Sequence, residues 1–200
     1  MKMHTHFALA GLMLCTSAHA ADPRSAVNET ALKNGQQNAQ FCHHCHDGGS
    51  NSARDDVPNL AGQNEAYLFT QMNKFASGQR KNQFMEALIK ALTPEERKNI
   101  ALYFSKQEAA SKPAAVANAG QAAAGKKLYN SLCASCHGTN AYGTENVPHL
   151  AGQQAGYLRN SLTRYRNGSG ERIDPQMAAY TLDLKDSDIV NLAAYLASMR

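Results

Sequence analysis

Four cysteines fall into two pairs, each followed at once by a histidine: Cys42-His43-His44-Cys45-His46 and Cys133-Ala134-Ser135-Cys136-His137, matching positions lying 91 residues apart. Further along, Val57-Pro58-Asn59-Leu60-Ala61-Gly62-Gln63 recurs as Val147-Pro148-His149-Leu150-Ala151-Gly152-Gln153, now at an offset of 90, and Tyr67-Leu68 recurs as Tyr157-Leu158. Eight of the twelve positions 57–68 are identical in the second copy. Self-similarity at this period marks a duplicated unit, here a whole small domain rather than a solenoid repeat. Whatever the chain folds into, it does so twice.

The first unit spans residues 28–108 and the second 122–200, and residues 21–27 read as a tail. Between the units, residues 109–121 are Ala-rich around Pro113 and nearly devoid of large apolar side chains, as a surface linker should be. Residues 1–20 read as a signal peptide: Lys2 gives a positive start, Phe7 to Leu14 is apolar, and Ala18-His19-Ala20 fits the cleavage pattern. That run is too short to span a bilayer, and no later segment approaches a span. Cys15 follows Leu14, where lipidation calls for a small residue, so Cys15 is expected to leave with the peptide. Four cysteines then remain in an oxidising compartment, the periplasm.

Inside each unit the apolar residues keep helical spacing. Leu68, Met72 and Phe75 fall at i, i+4 and i+7, and Leu158, Leu162 and Tyr165 repeat the pattern. Thr93, Pro94 and Glu96 form a capping box at the start of a closing helix. Its counterpart carries Ile189, Leu192, Ala193 and Leu196 on one face but has Lys185 opposite Thr93, leaving Asp186 as the expected cap. No alternating strand pattern occurs. The fold class is therefore all-α, two tandem domains related by duplication. Domains this small commonly need a staple or a cofactor to complete the core.

The cysteine motif supplies that cofactor. Two thiols can add to the two vinyl groups of haem while the adjacent histidine turns to the iron, and on a helical turn positions i, i+3 and i+4 share one face. Cys42, Cys45, Cys133 and Cys136 are thus the expected attachment points of two covalently bound haem c groups, with His46 and His137 as axial ligands. A thioredoxin-like dithiol belongs in a βαβ fold, which is not indicated. Zinc needs about four ligands per site and structural disulfides would leave the histidines unexplained. A Met thioether opposite His closes the iron and suits electron transfer. Met177 follows Pro175 in an expected loop 40 residues after His137, and Met85 lies 39 residues after His46. The two align if a two-residue insertion falls near Asp174-Pro175. Met72 lies on the apolar stripe and Met199 at the chain end, so Met85 and Met177 are the expected sixth ligands.

On these residues the chain resembles the class I cytochromes c, and as a tandem pair the cytochrome c4 family. The resemblance covers nearly all of the chain after residue 20. It implies two haem domains facing each other across an approximate twofold axis, with the carbonyls of Pro58 and Pro148 accepting from the axial histidines. That family places a glycine eight residues before the first motif cysteine, where the first and last helices cross. Gly125 fits, whereas Asn34 occupies the place in unit one with Gly35 one position late, so unit one is expected to pack less closely. His43 and His44 are read as solvent-facing loop residues.

The implied role is electron transfer from a quinol-oxidising complex to a terminal oxidase or reductase, without enzymatic chemistry. A dihaem peroxidase needs an open iron and is the alternative; a redox or gas sensor ranks last, since no signalling module accompanies the units. The net charge of +4 carries no run of Lys and Arg, which excludes nucleic acid as a partner. Residues 21–110 hold 10 basic and 10 acidic side chains and residues 111–200 hold 9 and 6, so unit two could steer docking to an acidic partner. Peripheral membrane association is left open.

Overall fold

The structure is a computed structural model and describes residues 23–46, 52–109 and 118–199. The expected signal peptide lies outside the described residues. Among the described residues ten α-helices, five per unit, and one 3₁₀ turn in unit one make up the secondary structure, and no strand forms. Unit one contains α1 (Pro23–Asn38), α2 (His43–His46), α3 (Glu65–Ala76), α4 (Gln83–Lys90) and α5 (Pro94–Ser105). Unit two repeats them as α6 (Ala119–Leu132), α7 (Ala134–His137), α8 (Ala155–Asn167), α9 (Pro175–Thr181) and α10 (Asp186–Ser198).

Two element boundaries differ from expectation. Helix α1 begins at Pro23, inside the expected tail, because proline has no N–H to leave unpaired in a first turn. Helix α6 begins at Ala119, inside the expected linker, because the Asn118 side chain accepts from Gln121 N at 3.1 Å and caps the turn.

In each unit the first helix crosses the last, α1 on α5 and α6 on α10, and the third packs beside them. The apolar stripes meet there. Leu68, Met72 and Phe75 are buried against Ile100 and Phe104, and Leu158 against Tyr129, Ile189, Leu192 and Leu196. The capping box forms at Thr93, whose N–H donates to Glu96 Oε2 at 2.7 Å. At α10 the cap differs from expectation. Asp188, not Asp186, accepts from Lys185 N at 3.0 Å, because Asp186 is drawn into an ion pair with Arg166 at 2.7 Å.

Gly35 is the true counterpart of Gly125, contrary to the expectation of looser packing in unit one. A Cβ on Gly35 would overlap the carbonyl of Asn99, and one on Gly125 would overlap the carbonyl of Asn191. Both crossings are equally close. The residue missing before Cys42 is taken up by a 3₁₀ turn, Ala39–Phe41, which advances the chain further per residue than the α-helical path of α6.

Candidate functional site

Each motif histidine sits at the end of a four-residue helix, α2 or α7, and is withdrawn from solvent. His46 Nδ1 donates to Pro58 O at 2.8 Å and His137 Nδ1 to Pro148 O at 3.2 Å. These bonds place the ring proton on Nδ1 and leave Nε2 as the nitrogen with a free lone pair, the arrangement a metal-ligating histidine requires. Burial, only partly offset by the proline carbonyls, holds both imidazoles below their ordinary pKa, so they are neutral.

No disulfide joins the motif cysteines among the described residues. Burial pushes Cys42 and Cys133 up to about 11. A disulfide-exchange site works with lowered thiol pKa values, so these environments do not suit that chemistry. No three His, Cys, Asp or Glu side chains converge as a metal-ion cluster among the described residues.

Met85 and Met177 occupy matching places. Each is the third residue of a short helix, α4 or α9, and donates its N–H to the capping side chain, Asn82 at 3.0 Å and Asp174 at 3.1 Å. Met177 is thus helical rather than in a loop, Pro175 opening the helix as its first residue. Both side chains are half-buried. Met85 packs against the same core cluster as Cys42, and Gln176, beside Met177, places Nε2 3.8 Å from Cys136 Sγ. The two extra residues of unit two fall just before Arg172, close to Asp174-Pro175: Arg80 and Arg172 already match at an offset of 92 and pair their backbones across the molecule.

His43 also departs from expectation. It is half-buried on α2, edge-on to Phe104 with centroids 5.5 Å apart, because the motif helix lies against α5; His44 is exposed.

The repeated Val-Pro-x-Leu-Ala-Gly-Gln segments form the contact between the units. Asn59 N donates to Gln153 Oε1 at 2.7 Å, and Gln153 Nε2 donates back to Asn59 O at 3.1 Å. The mirror contact joins His149 N to Gln63 Oε1 at 2.8 Å and Gln63 Nε2 to His149 O at 2.9 Å. Tyr67 N donates to Glu145 O and Tyr157 N to Asp55 O, again as a matched pair. These paired contacts are each returned by the other unit, as an approximate twofold axis demands, whereas the Arg159–Asp55 ion pair and the Thr70–Asn146 bond have no counterpart.

At the same interface two guanidinium groups meet a set of hydroxyls. Arg172 donates to Tyr165 at 2.6 Å, Tyr157 at 2.7 Å, Ser161 at 3.0 Å and Tyr67 of unit one at 2.5 Å. Arg80 donates to Gln71 at 2.9 Å and to Tyr157 of unit two at 3.1 Å, and lies over the Phe75 ring. Although burial opposes ionisation, Arg172 and then Arg80 pull the Tyr157 phenol down to about 7. Among the described residues no carboxylate forms an ion pair with either arginine. Partly buried cations in this state fit a ligand that carries carboxylates, as haem does. Neither these arginines nor the glutamines are among the expected site residues; the signal for both was identity between the copies.

Two all-α units, each with a Cys-x-x-Cys-His helix backed by a proline carbonyl, define a doubled cytochrome c of class I. The family model described as Cytochrome c matches residues 122–200. Cytochrome c4 of Pseudomonas aeruginosa is 31% identical over 191 residues, covering 91% of each chain. The thiosulfate dehydrogenase electron acceptor of Thiomonas intermedia is 34% identical over 160 residues, 75% of this chain and 73% of that one. The crystal structure of reduced recombinant cytochrome c4 from Pseudomonas stutzeri superposes with a TM-score of 0.77 at 29% identity, covering 84% of this chain and 98% of that one. The chain belongs to the cytochrome c4 family. It is a dihaem c-type cytochrome, with covalently bound haem c, that transfers electrons between redox partners.

Proposed function

We propose that Cys42 and Cys45 attach one haem, with His46 and Met85 as its axial ligands, and that Cys133, Cys136, His137 and Met177 do the same for the second. The units 28–108 and 122–200 would hold one haem each, with Arg80 and Arg172 holding propionate carboxylates. The observation that carries this reading is the matched pair of bonds from His46 to Pro58 and from His137 to Pro148, each leaving Nε2 free. The equivalent helix positions of Met85 and Met177 support the sixth ligands. Bound haem c supplies a one-electron ferric/ferrous couple; the side chains bind it, orient the imidazoles and exclude water.

With Met85 and Met177 holding the haems opposite the histidines no coordination position would be left open, an arrangement that would suit carrying electrons rather than peroxidase chemistry. The proposed location is the periplasm, reached through the signal peptide at residues 1–20. A quinol-oxidising complex is the proposed donor and a terminal oxidase or reductase the acceptor. The likeness to a thiosulfate dehydrogenase electron acceptor favours a second donor class, a sulfur-compound dehydrogenase. Reduction rates with each purified donor separate the two.

The axial ligands are tested by the weak Met-to-iron charge-transfer band at the red end of the oxidised spectrum, counted per haem. The parent should show two equivalents. Met85→Ala and Met177→Ala should each remove one and admit cyanide at that site; a parent that binds cyanide rapidly would overturn the assignment.

A further inference from the structure

The amide joining Pro58 to Asn59 is held at both ends, and its partners come from different domains. Its C=O accepts from His46 Nδ1 at 2.8 Å, and its N–H donates to Gln153 Oε1 at 2.7 Å. Across the approximate twofold axis the amide joining Pro148 to His149 repeats the arrangement. There the C=O accepts from His137 Nδ1 at 3.2 Å and the N–H donates to Gln63 Oε1 at 2.8 Å. Each glutamine is clamped further, since its Nε2 donates to the carbonyl of the same Asn59 or His149. Both glutamines are only 6% exposed, so water does not compete for these bonds.

An amide polarises as a unit. An acceptor on its N–H moves electron density toward its C=O, and chained hydrogen bonds strengthen one another where the dielectric is low. A stronger acceptor at the proline carbonyl draws the Nδ1 proton and makes the imidazole a better donor at Nε2, as outer partners of ligating histidines do.

We propose that Gln153 and Gln63 are positioning residues for the axial histidine of the opposite domain, Gln153 acting through the Pro58–Asn59 amide on His46 and Gln63 through the Pro148–His149 amide on His137. Each haem's reduction potential is thereby set partly by the other domain. The inference rests on His46 and His137 being the axial ligands. A better imidazole donor favours the ferric state, so each glutamine lowers the potential of the haem it does not share a domain with.

The test uses the full-length, haem-loaded protein, with the two potentials resolved by spectroelectrochemistry and assigned by the axial-methionine methyl resonances. Gln153→Met keeps the volume and removes the acceptor. It should raise the potential of the unit-one haem by about a threefold change in its oxidised-to-reduced ratio, ~28 mV at 59 mV per tenfold, and leave unit two unmoved. Gln63→Met should do the converse. Gln153→Glu presents an acceptor to Asn59 N–H in either protonation state, so the potential should return to the parent value or below. Asn64→Ala removes bonds to Tyr142 O, Thr144 O and Val147 O of the other domain without touching either amide, and should move neither potential. The proposal is overturned if, with the charge-transfer bands intact, neither potential moves, the same-domain haem moves, or Asn64→Ala has an equal effect. Absence of those bands from the parent would instead overturn the ligand assignment.

Discussion

Gly35 and Gly125 each let one helix backbone rest directly on another, and a single methyl would be enough to part them. Gly35→Ala and Gly125→Ala should each destabilise the protein by about 1–3 kcal/mol, the range for overpacking a close contact. Asn34→Gly should bring no compensating gain, since Asn34 is exposed and takes no part in the crossing. Urea midpoints for the three variants check this. The register at Gly35 is hidden in the sequence because counting back from Cys42 assumes a uniform helix. The 3₁₀ turn at Ala39–Phe41 covers the gap with one residue fewer. The cysteines and histidines were legible for the opposite reason: their chemistry fixes their spacing, and no insertion can fall inside the motif. His43 was misread because its neighbours Tyr103 and Phe104 come from the far end of the unit.

At the level of single helices the two copies solve the same problem with different residues. Helix α5 starts with Thr93 and Glu96 in a reciprocal box, whereas α10 has only the Asp188 half. Hydrogen bonds from Thr93 hold the Glu96 carboxyl below its ordinary pKa. A group lowered in the folded state contributes stability above its unfolded pKa and loses it as pH falls through the folded one. Stability from this cap is therefore present at neutral pH and fades below about 4.5, the ordinary carboxylate value. Glu96→Gln should flatten the acid limb of a stability–pH curve, and Thr93→Ala should cost about 1 kcal/mol at neutral pH. Denaturant midpoints measured from neutral to acid pH read both. The α5 box was legible because its residues are local; Asp186 was misassigned at α10 because Arg166, which captures it, lies on another helix.

For the whole molecule the decisive surface is the one between the copies. The repeat and the helical class were visible in the chain, but a matching glutamine in two segments does not say that each reaches across to the other. Arg172 reaches four hydroxyls on both sides of the interface, against two polar partners for Arg80. Arg172→Met should therefore lower stability by at least about 2 kcal/mol, the scale of one lost charged hydrogen bond, and more than Arg80→Met. Calorimetry should also resolve a single transition into two as the domains lose their grip.

The exchange of Gln63 for Gln153 has one further consequence. A face whose central bonds are returned in kind is isologous at its centre, and two separate molecules bearing it could pair in the same way. Here a short tether turns that encounter into an intramolecular one, so modest polar contacts suffice where free subunits would need a broad apolar patch. In this light the chain is a homodimer written as one polypeptide, whose halves were then free to diverge, Asn59 in one copy standing where the other has His149 and Phe75 where it has Tyr165, while keeping the handshake that joins them.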